Sequence, residues 1–264
     1  MAQLTVAADE VQLAELAAAR VTQLIVRAVA DRGSAFISLS GGTTPQRLYA
    51  SLADARQPWR NHLPWTQVHL FWGDERHVPP DHPDSNYGMA KAALIDRVPI
   101  PADHVHRIRG ELADAREAAA DYERTLAAVV SDSLGSGFSR TSSVASAFRR
   151  KDIFDVMLLG LGEDAHTASI FPGSDLLEPS QHSTGSRVAA VWAPHLGVWR
   201  ITLTPESILD SRTIVVLVSG ANKADAVHAS LQAPLDVKTY PAQLLRGADD
   251  RVEWFLDRAA AARL

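Results

Sequence analysis

The chain has 264 residues, of which 46% are hydrophobic, 42 are alanine and none is cysteine, and its formal net charge is −5. That length holds one large domain or two small ones at about 100 to 200 residues each, and the apolar content excludes disorder throughout, while its alanine share favours packed helices. Without cysteine there are no disulfides, thiolate metal sites or thiol nucleophiles; the acidic balance argues against coating nucleic acid; and an acidic start with no run of about 18 apolar residues predicts a cytoplasmic protein without a membrane partner.

Residues 8 to 31 place Val11, Leu13, Leu16, Val21, Leu24 and Ile25 at helical spacing and stop at Gly33, so a helix is expected to open the domain. FISLS at 36–40 is a short apolar run followed by Gly41-Gly42 and TTPQRLYASLA, where Thr44 suits a helix cap and Pro45 the first helical position. The same strand, turn and helix grammar recurs. VHLFW (68–72) precedes GDER, FDVMLLG (154–160) precedes GEDAHTAS, and IVVLVSG (214–220) precedes ANKADAVHASL. Runs apolar on both faces that alternate with helices predict an α/β fold with a mostly parallel sheet covered by helices. In such sheets ligands gather beyond the carboxyl ends of the strands. A helix is expected around 111–130, a serine-rich surface connection at 131–150, and a closing helix in GADDRVEWFLDRAAAARL with acids in its first turn. Residues 1–264 read as a single domain.

Five segments carry residues suited to chemistry. In SLSGGTTP the pair Gly41-Gly42 ahead of a helix start is a ready phosphate site, although the same pair also suits a plain tight turn. In WGDERHVPPDHPDSNYG, Arg76 can meet an anionic oxygen and Asp74 can orient a neighbour, and Asn86 either serves the site or caps a helix. In LGLGEDAHTASIFPG, His166 follows a glycine-rich turn, where an imidazole can take a proton from water. Finally, Arg200 in WRITLT and Lys223 in SGANKADAV bring cations to strand ends; Lys223 stands out in a chain with 22 arginines and 4 lysines. With Arg76 and the glycine turn they form a candidate phosphate pocket. No Gly-Lys pair exists for a P-loop and no G-x-S-x-G elbow for a serine hydrolase. Gly160-Leu-Gly162-Glu-Asp-Ala165 matches a dinucleotide fingerprint in form, but Pro172 follows too soon for its helix. No metal site is expected, since neither HExxH nor cysteine is present.

Taken together, SGGTTP, GDERHVP with SNYG, GLGEDAHTASIFPG, RITLT and SGANKADAV resemble, in order and over nearly the whole chain, the motif series of the 6-phosphogluconolactonase family. The resemblance implies a Rossmann-like three-layer domain of the glucosamine-6-phosphate deaminase/isomerase kind. It also implies hydrolysis of 6-phospho-D-glucono-1,5-lactone, the second step of the oxidative pentose phosphate pathway, without metal or organic cofactor. His166 would be the general base and Asp74 an active-site acid, with Gly41, Gly42, Thr43, Arg76, Arg200 and Lys223 on the phosphate and substrate. Where the family usually reads Gly-x-Asp-Gly-His, this chain has Ala165 before His166; a left-handed backbone there would cost alanine about 1 kcal/mol. The alternatives left open are an aminosugar-phosphate deaminase or isomerase, a catalytically silent sugar-phosphate sensor and a nicotinamide-dependent oxidoreductase.

Overall fold

A 23-residue helix dominates the start of the fold. In α1 (Glu10–Arg32), Leu13, Ala17, Val21, Ile25 and Ala28 form one buried stripe. Asp9 caps it by accepting from the N–H groups of Val11 and Gln12, and Gly33 ends it in the left-handed conformation at φ 80°. A strand nevertheless comes first: β1 (Gln3–Ala7) precedes α1, so the expectation of an opening helix is corrected. The computed structural model describes residues 2–133, 153–178, 185–194 and 196–264. The expected serine-rich connection lies outside them from residue 134 to 150.

The chain continues through β2 (Ala35–Leu39), α2 (Thr43–Ala53), β3 (Val68–Trp72), β4 (Asp74–Arg76), α3 (Asn86–Ala93) and α4 (Ala115–Ser133). It then forms β5 (Val156–Leu159), β6 (Val188–Ala193), β7 (Val198–Leu203), α5 (Pro205–Leu209), β8 (Thr213–Val218), α6 (Ala224–Leu231) and β9 (Val252–Asp257). Six strands form one sheet in the order β1-β9-β8-β5-β2-β3, with every neighbouring pair parallel. All residues of β2, β5 and β9 are buried, as expected for strands covered on both faces.

The predicted closing helix is instead β9, threaded between β1 and β8. Its run VEWFL is apolar and aromatic enough to be buried on both faces, and the acids ahead of it belong to a 3₁₀ segment, Pro241–Arg251. A second sheet, which the sequence reading did not foresee beyond the strand at RITLT, is antiparallel and ordered β4-β7-β6. Gly73 joins the two sheets: its N–H donates to Leu39 O at 2.8 Å and its carbonyl accepts from Leu203 N–H at 2.8 Å.

Strand order fixes where a ligand can sit. After β2 the chain adds β3 on one side, whereas β5, β8 and β9 build outward on the other, so the connections reverse between β2 and β5. The carboxyl ends of these two strands open a crevice at that switch point.

Candidate active site

Five segments meet at the crevice, a cavity of about 320 Å³. From the end of β2 come Ser40, Gly41 and Gly42. The buried Tyr49 hydroxyl fixes this exit by donating to Ser40 O at 2.8 Å and accepting Ser40 N–H at 2.9 Å. Gly42 has φ 103°, which a side chain would resist, and it starts α2 without a side-chain cap, leaving first-turn N–H groups available to an anion. Thus Gly42 rather than Thr44 is the N-cap; the Thr44 hydroxyl instead meets Ser219 Oγ at 3.1 Å. Gly41 is required for a different reason: a Cβ there would lie 1.8 Å from Asn86 Oδ1.

The GDER segment forms β4, and strand alternation sorts its side chains. Asp74 and Arg76 face the cavity, while Glu75 is buried at the start of α3. The Glu75 carboxylate accepts from the N–H groups of Arg76 (2.8 Å), Asn86 (2.7 Å) and Tyr87 (2.8 Å) and from Ser85 Oγ (3.1 Å). Burial pushes its pKa up, and the backbone donors oppose the shift. Asn86 is the first residue of α3 and Ser85 its cap. The Asn86 carboxamide reaches the cavity and donates to Asp74 O at 2.9 Å. Asp74 also accepts from the buried Ser169 hydroxyl at 2.7 Å. Across the small sheet, Arg76 lies directly opposite Arg200. Burial, and then the charge of Arg76, push the Arg200 pKa down. Arg200 Nη1 is buried with no hydrogen-bond partner among the described residues. Like charges placed opposite one another are destabilising, and an anion between them removes that cost.

The segment after β5 holds the imidazole. His166 Nδ1 donates to Asp164 Oδ1 at 2.6 Å, leaving Nε2 as the ring nitrogen able to accept a proton. Burial alone would raise the Asp164 pKa, but the hydrogen bond and charge of His166 outweigh it and hold it at about 2. Gly162 makes room for this pair, since a Cβ there would lie 2.0 Å from His166 Nδ1. The loop closes on itself through Gly162 N–H to His166 O at 2.8 Å and Ala165 N–H to Gly162 O at 3.1 Å. Ala165 is indeed left-handed at φ 62°, and Ala168 at φ 48°. Despite the alanine, His166 lines the cavity, with its ring 4.7 Å from that of Phe171.

The structure therefore brings together Gly41, Gly42, Asp74, Arg76, His166, Arg200 and Lys223 in one cavity. Thr43 does not line it; as the first residue of α2 it lines a neighbouring recess with Gln46 and Arg47. Sequence reading assigned no role to Asp164, Ser169 or Glu75. The carboxylate two residues before His166 was the available signal for Asp164, whereas Ser169 meets Asp74 only through the fold. His104 and His106 lie apart from the cavity, against His69 on β3. Among the described residues no group of three or more His, Cys, Asp or Glu could hold a metal ion, and no helix is long and apolar enough to cross a membrane.

Known proteins share this chain's sequence pattern and fold. A 6-phosphogluconolactonase of Synechocystis sp. is 38% identical over 252 residues, covering 96% of this chain and 94% of the relative. One of Haemophilus influenzae is 36% identical over 230 residues, covering 86% and 87%. The solved structure of 6-phosphogluconolactonase from Trypanosoma brucei superposes with a TM-score of 0.79 at 29% identity, covering 100% of this chain and 99% of that one. A monomeric glucosamine-6-phosphate deaminase shares the fold, with a TM-score of 0.77 at 20% identity over 99% of this chain and 100% of that one. Residues 8–254 match the family described as glucosamine-6-phosphate isomerases/6-phosphogluconolactonase, and the chain belongs to that family.

Proposed function

We propose that this chain hydrolyses 6-phospho-D-glucono-1,5-lactone to 6-phospho-D-gluconate by general-base activation of water, acting as one domain in the cytoplasm. The observation that carries the reading is His166, held through Nδ1 by Asp164, in the same cavity as Arg76, Arg200 and Lys223. Relatives at 36–38% identity bear the lactonase name.

The roles follow from the chemistry each group can perform. Lys223, Arg200 and the turn amides at Gly41-Gly42 grip the phosphate, and this remote binding energy positions the lactone ring above the strand ends. Asp164 fixes the imidazole through Nδ1, and His166 Nε2 takes a proton from water as that water attacks C1. The carbonyl oxygen becomes an oxyanion, which Arg76 is suited to stabilise. Collapse of the tetrahedral species breaks the bond from C1 to the ring oxygen, and the imidazolium returns the proton to that oxygen. Asp74, held by Ser169 and Asn86, balances the paired arginines. No covalent intermediate is required.

H166A is expected to lower kcat by about 10²- to 10⁴-fold above the spontaneous background, with the fold retained. An unchanged kcat would remove His166 from the mechanism. Where the Lys223 grip is equal in the ground and transition states, K223A should chiefly raise KM. Glucosamine 6-phosphate serves as the control substrate, and its turnover in place of the lactone would assign the cavity to the deaminase branch of the family.

A further inference from the structure

Two stiff pieces of backbone flank the cavity, and a side-chain bridge joins them. One is the base loop after β5; the other is the turn after β8 that carries Lys223. Asn222 Nδ2 donates to Glu163 Oε1 at 2.6 Å. Each partner immediately precedes a residue of the candidate site, Asp164 and Lys223, and each is itself exposed. The bond therefore contributes little to the core. Its ends are well anchored. The base loop is closed by the Gly162–His166 and Ala165–Gly162 backbone bonds and tied from outside by Ala242 N–H to Ala165 O at 2.9 Å. In the turn, Gly220 N–H donates to the buried Asp257 carboxylate at 3.0 Å and Lys223 N–H returns to Gly220 O at 3.1 Å. Ser219 Oγ meets Thr44 Oγ1 at 3.1 Å, which ties the turn to the first turn of α2. A hydrogen bond between two bodies held in this way sets a spacing.

We propose that Glu163 and Asn222 are positioning residues that fix the distance between the phosphate anchor and the general base, making the enzyme selective for a lactone whose phosphate lies at one distance from its carbonyl carbon. This inference rests on the lactonase reading above. A substrate held by its phosphate depends on that spacing, because the water and C1 must arrive at His166 together; misplacement by about 1 Å costs up to 10²-fold. A lactone without phosphate does not engage Lys223 and is indifferent to the spacing. The pair thus acts on kcat for the anchored substrate, whereas Lys223 itself acts chiefly on KM.

The test compares freshly generated 6-phosphogluconolactone with unphosphorylated gluconolactone in the full-length protein. E163A and N222A should each lower kcat for the phosphorylated lactone by about fivefold, with KM changed less than twofold and the unphosphorylated lactone unaffected. That loss corresponds to about 1 kcal/mol, within the range of one hydrogen bond. The double variant should match either single one, and E163Q, which keeps an acceptor oxygen, should retain wild-type selectivity. Equal losses on both lactones would overturn the proposal by making the bridge mere support for the base loop, and so would a change confined to KM or no change at all. If the wild-type protein does not turn over the phosphorylated lactone, the lactonase reading fails, and this inference with it.

Discussion

Ala165 shows how several small terms settle one residue. Its φ of 62° costs an alanine about 1 to 2 kcal/mol relative to a right-handed backbone. Against this, its side chain is buried, and removing a methyl group gives up about 0.8 kcal/mol. A glycine would also enlarge the unfolded ensemble by about 0.5 to 1 kcal/mol. The terms nearly cancel, so A165G is expected to change unfolding stability by less than about 1 kcal/mol and to leave kcat unchanged. Urea denaturation with parallel assays checks both, and a gain of several kcal/mol would mean that the loop stores more strain than its dihedrals indicate. The sequence was informative here because the departure from the family motif fell on a position whose conformation a glycine predicts. It was less informative at Asp164, where a carboxylate two residues from an imidazole has many surface counterparts. For Ser169 it carried no signal, since a serine in a loop does not reveal that it will meet Asp74, 95 positions away.

Among the elements, three histidines pack together at the outer edge of the main sheet. The edge strand β3 pairs through Leu70 with Val105, and His106 N–H donates to Leu70 O at 2.8 Å. Beside that pairing the rings of His69 and His104 stack at 3.8 Å, and His69 Nδ1 lies 3.1 Å from His106 Nε2. Burial, and then His104, lower the pKa of both His69 and His106 from 6.5 to about 4; His106 also lowers that of His69, and Asp103 opposes both shifts. The folded protein therefore binds fewer protons than the unfolded chain between these values. Stability from this cluster is complete above about pH 6.5 and is lost as pH falls through that range toward 4. Tm measured across that range should fall more steeply for the wild type than for H69F/H106F; equal slopes would remove the cluster from acid sensitivity. Element by element, β2, β3, β5 and β8 were legible as apolar runs with turn residues after them. β9 was not, because acids before an apolar stretch and alanines after it imitate a helix. β1 was missed because an edge strand of five residues merges into the helix that follows, and β4 because three charged residues carry no strand pattern of their own.

For the whole molecule, charge is organised locally. A net charge of −5 coexists with Arg76, Arg200 and Lys223 around one cavity, and screening over about 8 Å keeps distant acids from cancelling them. The sheet makes this possible: reversing the connections between β2 and β5 places the glycine turn, the imidazole loop and the Lys223 turn at neighbouring strand ends, although they are far apart in the chain. The parallel sheet could be read from the order of motifs, but the small antiparallel sheet that sets the two arginines opposite one another could not. In the proposed function the cations and the base act on a single substrate. The most direct measurement is the ratio of kcat/KM for 6-phosphogluconolactone to that for gluconolactone, each corrected for spontaneous hydrolysis. The expected ratio is at least about 10², the tenfold steps of 1.4 kcal/mol that two or more charge-assisted contacts supply. A ratio near one would contradict it, because the cations would then have no part in recognising the molecule that His166 attacks through water.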